Sequence, residues 1–331
     1  MKKIIIDADP GIDDSIAIML ANSIEEYDIL GISLVSGNVH VNKGRKNILR
    51  LEKFLKKDFN VHLGSESPLY KEFINAEDTH GEDGLGETYL SYDEKSCKSD
   101  AIDFLINEAK KKDLTIFALG PLTNLAKAIE KDREAFEDTR IIVMGGSFRS
   151  YGNMSSVAEF NFYVDPDAAD YVIKNAPRKI EILPLDVTRK FVLTPNILSY
   201  IKRLNFEVGK FLEDITNFYM DFHWEYEKII GSVINDPLTI LLERNPDLFK
   251  SNTYNGECVT EGVARGMLMV DEMDFMKREK NVIIYEDLNV FKVWKYFIEK
   301  ITGEEVDERI LGDLLWKSLQ KKLHSWDFAL P

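Results

Sequence analysis

The sequence predicts an α/β fold, Rossmann-like, with a mostly parallel central sheet covered by helices on both faces. Two observations carry this. Short β-branched apolar runs alternate with segments of helical period, and each run passes to its helix through a short polar loop. No internal repeat, low-complexity tract or convincing linker interrupts the 331 residues, so residues 1–331 are expected to form a single domain rather than two smaller ones.

Ile4–Ile6 is a β-branched run near the N-terminus that predicts a buried strand, and Ile12–Ala21 carries the apolar period of the helix that follows. Tyr27–Val35 predicts a second strand, Asn42–Leu55 a polar helix and Val61–Gly64 a brief third strand. Ser65–Lys98 has no clear periodicity and includes Thr79-His80-Gly81-Glu82-Asp83-Gly84-Leu85-Gly86. A glycine-rich loop of this length inside a compact chain is more often functional than idle. Asp100–Lys110 is helical by period, and the Leu114–Leu119 strand ends in Gly120-Pro121-Leu122-Thr123-Asn124, where Thr123 and Asn124 are expected to cap the next helix. Arg140–Met144 is a strand closed by Gly145-Gly146, Asp165-Pro166-Asp167 starts a helix with proline in its first turn, and Lys179–Leu183 is a further strand.

Pro195–Ile230 is helical and aromatic-rich and leads to Asn235-Asp236-Pro237, where Asp236 is placed to cap the following helix. Thr253–Val270 predicts two strands paired antiparallel through Glu261-Gly262, and Asn281–Tyr285 one more. Phe291–Ile301 and Ile310–Leu323 are amphipathic. Leu311, Leu314, Leu315, Leu319 and Leu323 mark one face of the last helix, which either packs on its own body or forms a subunit contact.

The densest chemistry lies in Asp7-Ala8-Asp9-Pro10-Gly11-Ile12-Asp13-Asp14, four carboxylates in one turn between the first strand and its helix. In open α/β sheets ligands bind outside the carboxyl ends of the strands, where this turn falls. Each ionised pair at ~5 Å repels by roughly 3 kcal/mol at an effective dielectric near 20. Raised pKa values can offset that, and so can a hard divalent cation, which prefers oxygen ligands. Pro10-Gly11 favours a tight turn that folds Asp7 and Asp9 back toward Asp13 and Asp14. Asp7, last in a buried strand, is expected to anchor the others. The plainer reading has the acids facing water and complementing the helix dipole.

A formal charge of −15 argues against nucleic-acid polymers and anionic membrane surfaces as partners, because those need a basic footprint, and it suits a small neutral or cationic substrate. Cys97 and Cys258 lack metal-type spacing and are expected to be free thiols in a reducing compartment. Asp7 and Asp9 interrupt the N-terminal apolar run far short of a signal peptide, and no apolar run reaches the ~20 residues of a membrane helix. The expectation is a soluble, cytoplasmic protein.

The acidic run resembles the N-terminal fingerprint of the inosine-uridine-preferring nucleoside hydrolases and their relatives. Gly37-Asn38, His80-Gly81, Ala118-Leu119-Gly120-Pro121-Leu122-Thr123-Asn124, Met144-Gly145-Gly146, Ala158-Glu159-Phe160-Asn161 and Asn235-Asp236-Pro237 follow in the order that family shows, so the likeness spans residues 4 to 237. The resemblance implies the nucleoside hydrolase fold, hydrolysis of a ribonucleoside's N-glycosidic bond, bound Ca2+, and a homodimer or homotetramer. It implies Asp9, Asp14 and Asp236 as carboxylate ligands with the Leu119 carbonyl, and Asp9 also as general base for a water. Asp13, Asn38 and Asn161 would grip the ribose 2′- and 3′-hydroxyls, and Asn153 and Glu159 the 5′-hydroxyl. A ring of carboxylates and amides around ribose is what an oxocarbenium-like transition state asks for.

Before Asp236, where the inosine-uridine subgroup has a histidine that protonates the leaving base, this chain has Asn235. Asparagine can hydrogen-bond the base but cannot supply that proton. His80 is expected to contact the base, and with His223 it is a candidate for the acid. Phe160 is expected in the core, and His223, Trp224 and Tyr226 either face the pocket or, more commonly for such spacing, form a buried aromatic stripe. Two other readings compete. A haloacid dehalogenase-type phosphatase shares Asp7-Ala8-Asp9, but normally has Thr or Val where this chain has Gly11. A non-catalytic ribonucleoside-binding protein would keep the pocket without turnover.

Overall fold

The structure is a computed structural model that describes residues 1–315. Its strands are β1 Lys2–Ala8, β2 Tyr27–Leu34, β3 Val61–Leu63, β4 Leu114–Ala118, β5 Thr139–Met144, β6 Ile180–Leu183, β7 Val192–Leu193, β8 Ser232–Val233, β9 Phe249–Cys258, β10 Leu268–Asp271 and β11 Val282–Leu288. The helices are α1 Ile12–Asn22, α2 Val41–Leu55, α3 Glu77–His80, α4 Ala101–Ala109, α5 Thr123–Lys131, α6 Phe160–Val164, α7 Pro166–Asn175, α8 Leu185–Thr188, α9 Pro195–Leu204, α10 Phe206–Phe222, α11 Pro237–Arg244 and α12 Val290–Thr302. Residues 308–315 are helical too, whereas Leu319 and Leu323 of the expected last helix lie outside the described residues.

Nine strands form one sheet in the order β10-β9-β11-β6-β5-β4-β1-β2-β3. From β3 to β6 every pairing is parallel, and so is β6 with β11. Only β9, paired with β11 and β10, runs against its neighbours, as the sequence between Thr253 and Val270 predicts. The strand order reverses direction between β1 and β4, the switch point at which adjacent loops part and leave a crevice.

Two buried clusters cover the two faces. Ile4, Ile6, α1 and the helices that follow β6 fill one, and Ile5 with α4, α5 and α7 fills the other. The alternation of one strand's residues between two cores explains why Ile4–Ile6 is apolar at every position. Helix α1 is buried along Ile12–Ala21, so its polar residues Asp13, Asp14 and Ser15 are inside the protein. That location excludes acids that simply face water.

Candidate active site

A cavity opens at the carboxyl edge of the sheet, lined among others by Asp13, Asn38, His80, Leu119, Asn153, Glu159, Asn161, Tyr219, His223, Asn235 and Asp236. The segments that deliver these residues follow β1, β2, β3, β4, β5 and β8, with Tyr219 and His223 coming from the end of α10. The β8 segment is the least expected. β7 and β8, two residues each, pair antiparallel and pin Ser232–Val233 beside the sheet, which brings Asn235 and Asp236 over the first turn of α1.

On the floor, carboxylate oxygens of Asp13, Asp14 and Asp236 lie within 4.8 Å of one another, all buried. Asp236 stands at the head of α11 yet makes no capping bond. Its carboxylate joins the acids instead, against the capping role expected of it. Asp14 accepts from Gly11 N (3.0 Å), Asp9 N (3.2 Å) and Asn38 Nδ2 (3.0 Å), which closes the Pro10-Gly11 turn around it. Asp9 adjoins this triad rather than sharing its tight grouping. Its Oδ2 accepts from Asn38 N at 2.6 Å, and its buried Oδ1 has no partner among the described residues. Room for that carboxylate comes from Gly37 and Gly120, where a Cβ would lie 2.1 Å from Asp9 Oδ2 and 2.6 Å from Asp9 Oδ1. The sequence shows both glycines without showing why.

Behind the floor, Asp7 Oδ1 accepts from Ser33 Oγ (2.5 Å) and Asn124 Nδ2 (2.8 Å), the anchoring role its place in the strand predicts. Asn124 also bonds Leu34 O and Ser65 N, and Thr123 Oγ1 donates to Asp165 at 2.6 Å. Neither caps α5, because both side chains tie neighbouring loops together.

On the walls, Asn161 Nδ2 donates to the Leu119 carbonyl at 2.7 Å, and Glu159 caps α6 by accepting from Gly146, Asn161 and Phe162 N–H groups. Asn153 is exposed at the rim, where its Oδ1 accepts from Phe160 N. Phe160 is half-buried and lines the cavity rather than the core. Asn235 donates to Asp13 Oδ2 through its backbone N (3.3 Å) and Nδ2 (3.1 Å), which leaves a buried Oδ1 without a partner among the described residues.

His80 is buried, not loose in a loop: the one-turn α3 turns it inward, and Ile12 N–H donates to its Nδ1 at 3.1 Å. That bond places the ring proton on Nε2. The Tyr219 ring lies between the two imidazoles, with centroids 5.1 Å from His80 and 4.4 Å from His223. Tyr219 carried no motif. The helical period of α10 fits a core residue equally well. Trp224 and Tyr226 are exposed, so of the expected buried stripe His223 alone is inside.

Loss of water dominates the site's electrostatics. Burial raises Asp14 to about 6, further helped by the charge of Asp13, and raises Glu159 to about 7. Asp9 and Asp236 are pushed well above the ordinary carboxylate range, first by burial and then by their acidic neighbours. Asp7 rises to about 6, again by burial. Burial lowers both His80 and His223.

Residues 4–295 match the family model described as inosine-uridine preferring nucleoside hydrolase. Uridine nucleosidase 1 of Arabidopsis thaliana is 34% identical over 277 residues, 82% of each chain. The pyrimidine-specific ribonucleoside hydrolase RihB of Shigella flexneri serotype 5b is 30% identical over 307 residues, 91% of this chain and 97% of its own. The structure of a purine-preferring ribonucleoside hydrolase from Gardnerella vaginalis superposes with a TM-score of 0.85 at 30% identity, over 91% of this chain and 98% of that one. No helix among the described residues is long and apolar enough to cross a membrane. The match removes the phosphatase alternative, under which Asp13, Asp14 and Glu159 had no task. With a cavity lined by buried carboxylates and amides at the switch point of the sheet, this chain belongs to the inosine-uridine preferring nucleoside hydrolase family and is a ribonucleoside hydrolase, cleaving the N-glycosidic bond to give ribose and free base.

Proposed function

We propose that this hydrolysis depends on calcium held by Asp9, Asp14, Asp236 and the Leu119 carbonyl. The carrying observation is the convergence of Asp13, Asp14 and Asp236 within 4.8 Å, buried and with no basic side chain in the group. The donors are all hard oxygens, and the unpartnered Asp9 Oδ1 beside them supports a ligand role for that residue too. Calcium tolerates about six to eight oxygens in flexible geometry, which suits a mixed carboxylate, carbonyl and hydroxyl set better than magnesium's octahedron. When bound, the ion supplies charge that offsets the acids, orients the ribose diol and makes a neighbouring water easier to deprotonate.

Asp9 takes the water's proton. Its buried Oδ1, with no partner among the described residues, is the oxygen free to do so. Asp13, Asn38 and Asn161 hold the 2′- and 3′-hydroxyls, and Asn153 and Glu159 the 5′-hydroxyl, so that negative and dipolar groups surround the sugar where positive charge develops. At the other end, His80 offers a neutral Nε2–H to the base, and the free Oδ1 of Asn235 accepts from a base N–H. The chain acts as one nucleoside hydrolase-like domain, cytoplasmic, in a homodimer or homotetramer that light scattering on the purified protein can count. Relatives named for uridine, pyrimidine and purine substrates flank it, so the test uses both base classes.

Reducing sugar should appear from a ribonucleoside panel and stop when chelator is added; binding without release would favour the non-catalytic reading. Protein purified without chelator should carry one calcium per chain by elemental analysis. Asp14→Ala and Asp236→Ala should each lose both metal and turnover, and unchanged metal content and activity in both variants would rule the site out.

A pH effect follows as well. Asp7 and Asp14, from 3.8 to about 6, and Glu159, from 4.5 to about 7, have raised folded-state values. Their stabilising contribution is complete below the unfolded values and is lost as pH rises through the folded ones. In chelator, the melting temperature should fall between about pH 4 and about pH 7 through these groups, and calcium, which holds Asp14 ionised, should reduce that fall. Scanning fluorimetry with the same slope in both conditions would contradict this.

A further inference from the structure

Asparagine at 235 removes one proton donor from the leaving-group side, yet a base departing with the electron pair of the C1′–N bond still needs a proton. Two histidines line the same cavity, and their hydrogen bonds give them opposite capacities. On His80, Nδ1 already accepts the Ile12 N–H, so a second ring proton would set N–H against N–H in a buried site. His80 therefore stays neutral. On His223, Nδ1 lies 2.8 Å from the Tyr219 carbonyl, which has no proton to give, so Nδ1 carries the hydrogen and Nε2 is open to take another. That Nε2 has no partner among the described residues, in a ring that borders the cavity.

The position has a structural cause. After Phe222 the chain widens into a π-turn, His223–Glu227, and such turns re-aim side chains at functional sites. The same turn places Glu227 on the cavity wall with a buried Oε2 that has no partner among the described residues, its other oxygen 3.7 Å from Arg189. Of the charges that act on the His223 ring, Glu227 and Asp13 favour the imidazolium, while Arg189 from the end of α8 and a charged His80 oppose it. Burial outweighs these charges and holds the ring below the ordinary imidazole range, so once protonated it is a ready proton donor.

Resting on the hydrolase reading, we propose that His223 protonates the departing base and that His80 only binds it. The step balances: the C1′–N bond breaks with its electrons going to the base, and His223 Nε2–H gives its proton to the base and becomes neutral. The water oxygen bonds to C1′ and its proton goes to Asp9. Solvent then restores both groups, so the net reaction is nucleoside plus water to ribose plus base.

The test compares uridine and inosine with p-nitrophenyl riboside, whose leaving group needs little protonation, in His223→Ala, His223→Gln and His80→Ala. Both His223 variants should lose roughly 10²–10⁴-fold in kcat on the nucleosides while keeping near-normal hydrolysis of the nitrophenyl substrate, which also shows that they fold. Added imidazole should restore part of the nucleoside activity of His223→Ala. His80→Ala should act mainly through KM. Equal losses on both substrate types in both His223 variants, or a selective kcat loss that appears in His80→Ala instead, would overturn the assignment. A wild-type protein inert toward every substrate would overturn the hydrolase reading, and this assignment with it.

Discussion

Asp9→Asn is expected to lower kcat by roughly 10²–10⁴-fold, the range that a positioned general base commonly supplies. Asparagine preserves the shape of the side chain and can still accept from Asn38 N, the bond that fixes the carboxylate now at 2.6 Å. What it loses is basicity and charge. Gly37 and Gly120 pack closely against both carboxylate oxygens, so the amide is held in the same place but cannot take up the proton. If calcium binding weakens as well, the loss deepens, so metal content and kcat are to be measured on the same preparation. An Asp9→Asn protein with near-normal turnover would assign the base elsewhere.

Ribonucleosides should be preferred over their 2′-deoxy counterparts by about 10⁴–10⁵ in kcat/KM, the discrimination reached when a site built to bond a hydroxyl meets an analogue without it. Asp13, Asn38 and Asn161 are buried, and Asn38 and Asn161 already give donors to Asp14 and to the Leu119 carbonyl. Such a preorganised set cannot turn to water when the 2′-hydroxyl is missing, and each unmatched group keeps its desolvation cost. Paired kinetics on adenosine and deoxyadenosine decide the point, and equal rates would contradict the proposed hold on the diol.

Much of the fold was legible because its signals are local. A strand buried on two faces must be apolar at every position, as Ile4–Ile6 is, and a helix shows its period within its own residues. The β9–β10 pair announced itself through Glu261-Gly262, which lies in the connection between the two strands. The acidic turn was legible for the same reason: Asp7, Asp9, Asp13 and Asp14 lie within a few residues, so repulsion among them follows from spacing alone.

What stayed illegible depends on distant segments. Thr123 and Asn124 look like helix caps in sequence, because only the parallel register of β1, β2 and β4 sets Asp7, Leu34 and Ser65 around Asn124. Asp236 looks like a cap for α11 in the same way. Its entry into the acid cluster needs a two-residue strand pair too short to show any period, which carries Asn235 to Asp13 across 222 positions. Local signals sufficed for the alternation of strands and helices, the acidic turn and the family, since each rests on residues near one another in the chain or on a string of short motifs. Only the tertiary structure decided which carboxylates meet, which histidine can carry a second proton and which glycines make room for Asp9, because charge, tautomer and clearance depend on neighbours that folding supplies from elsewhere.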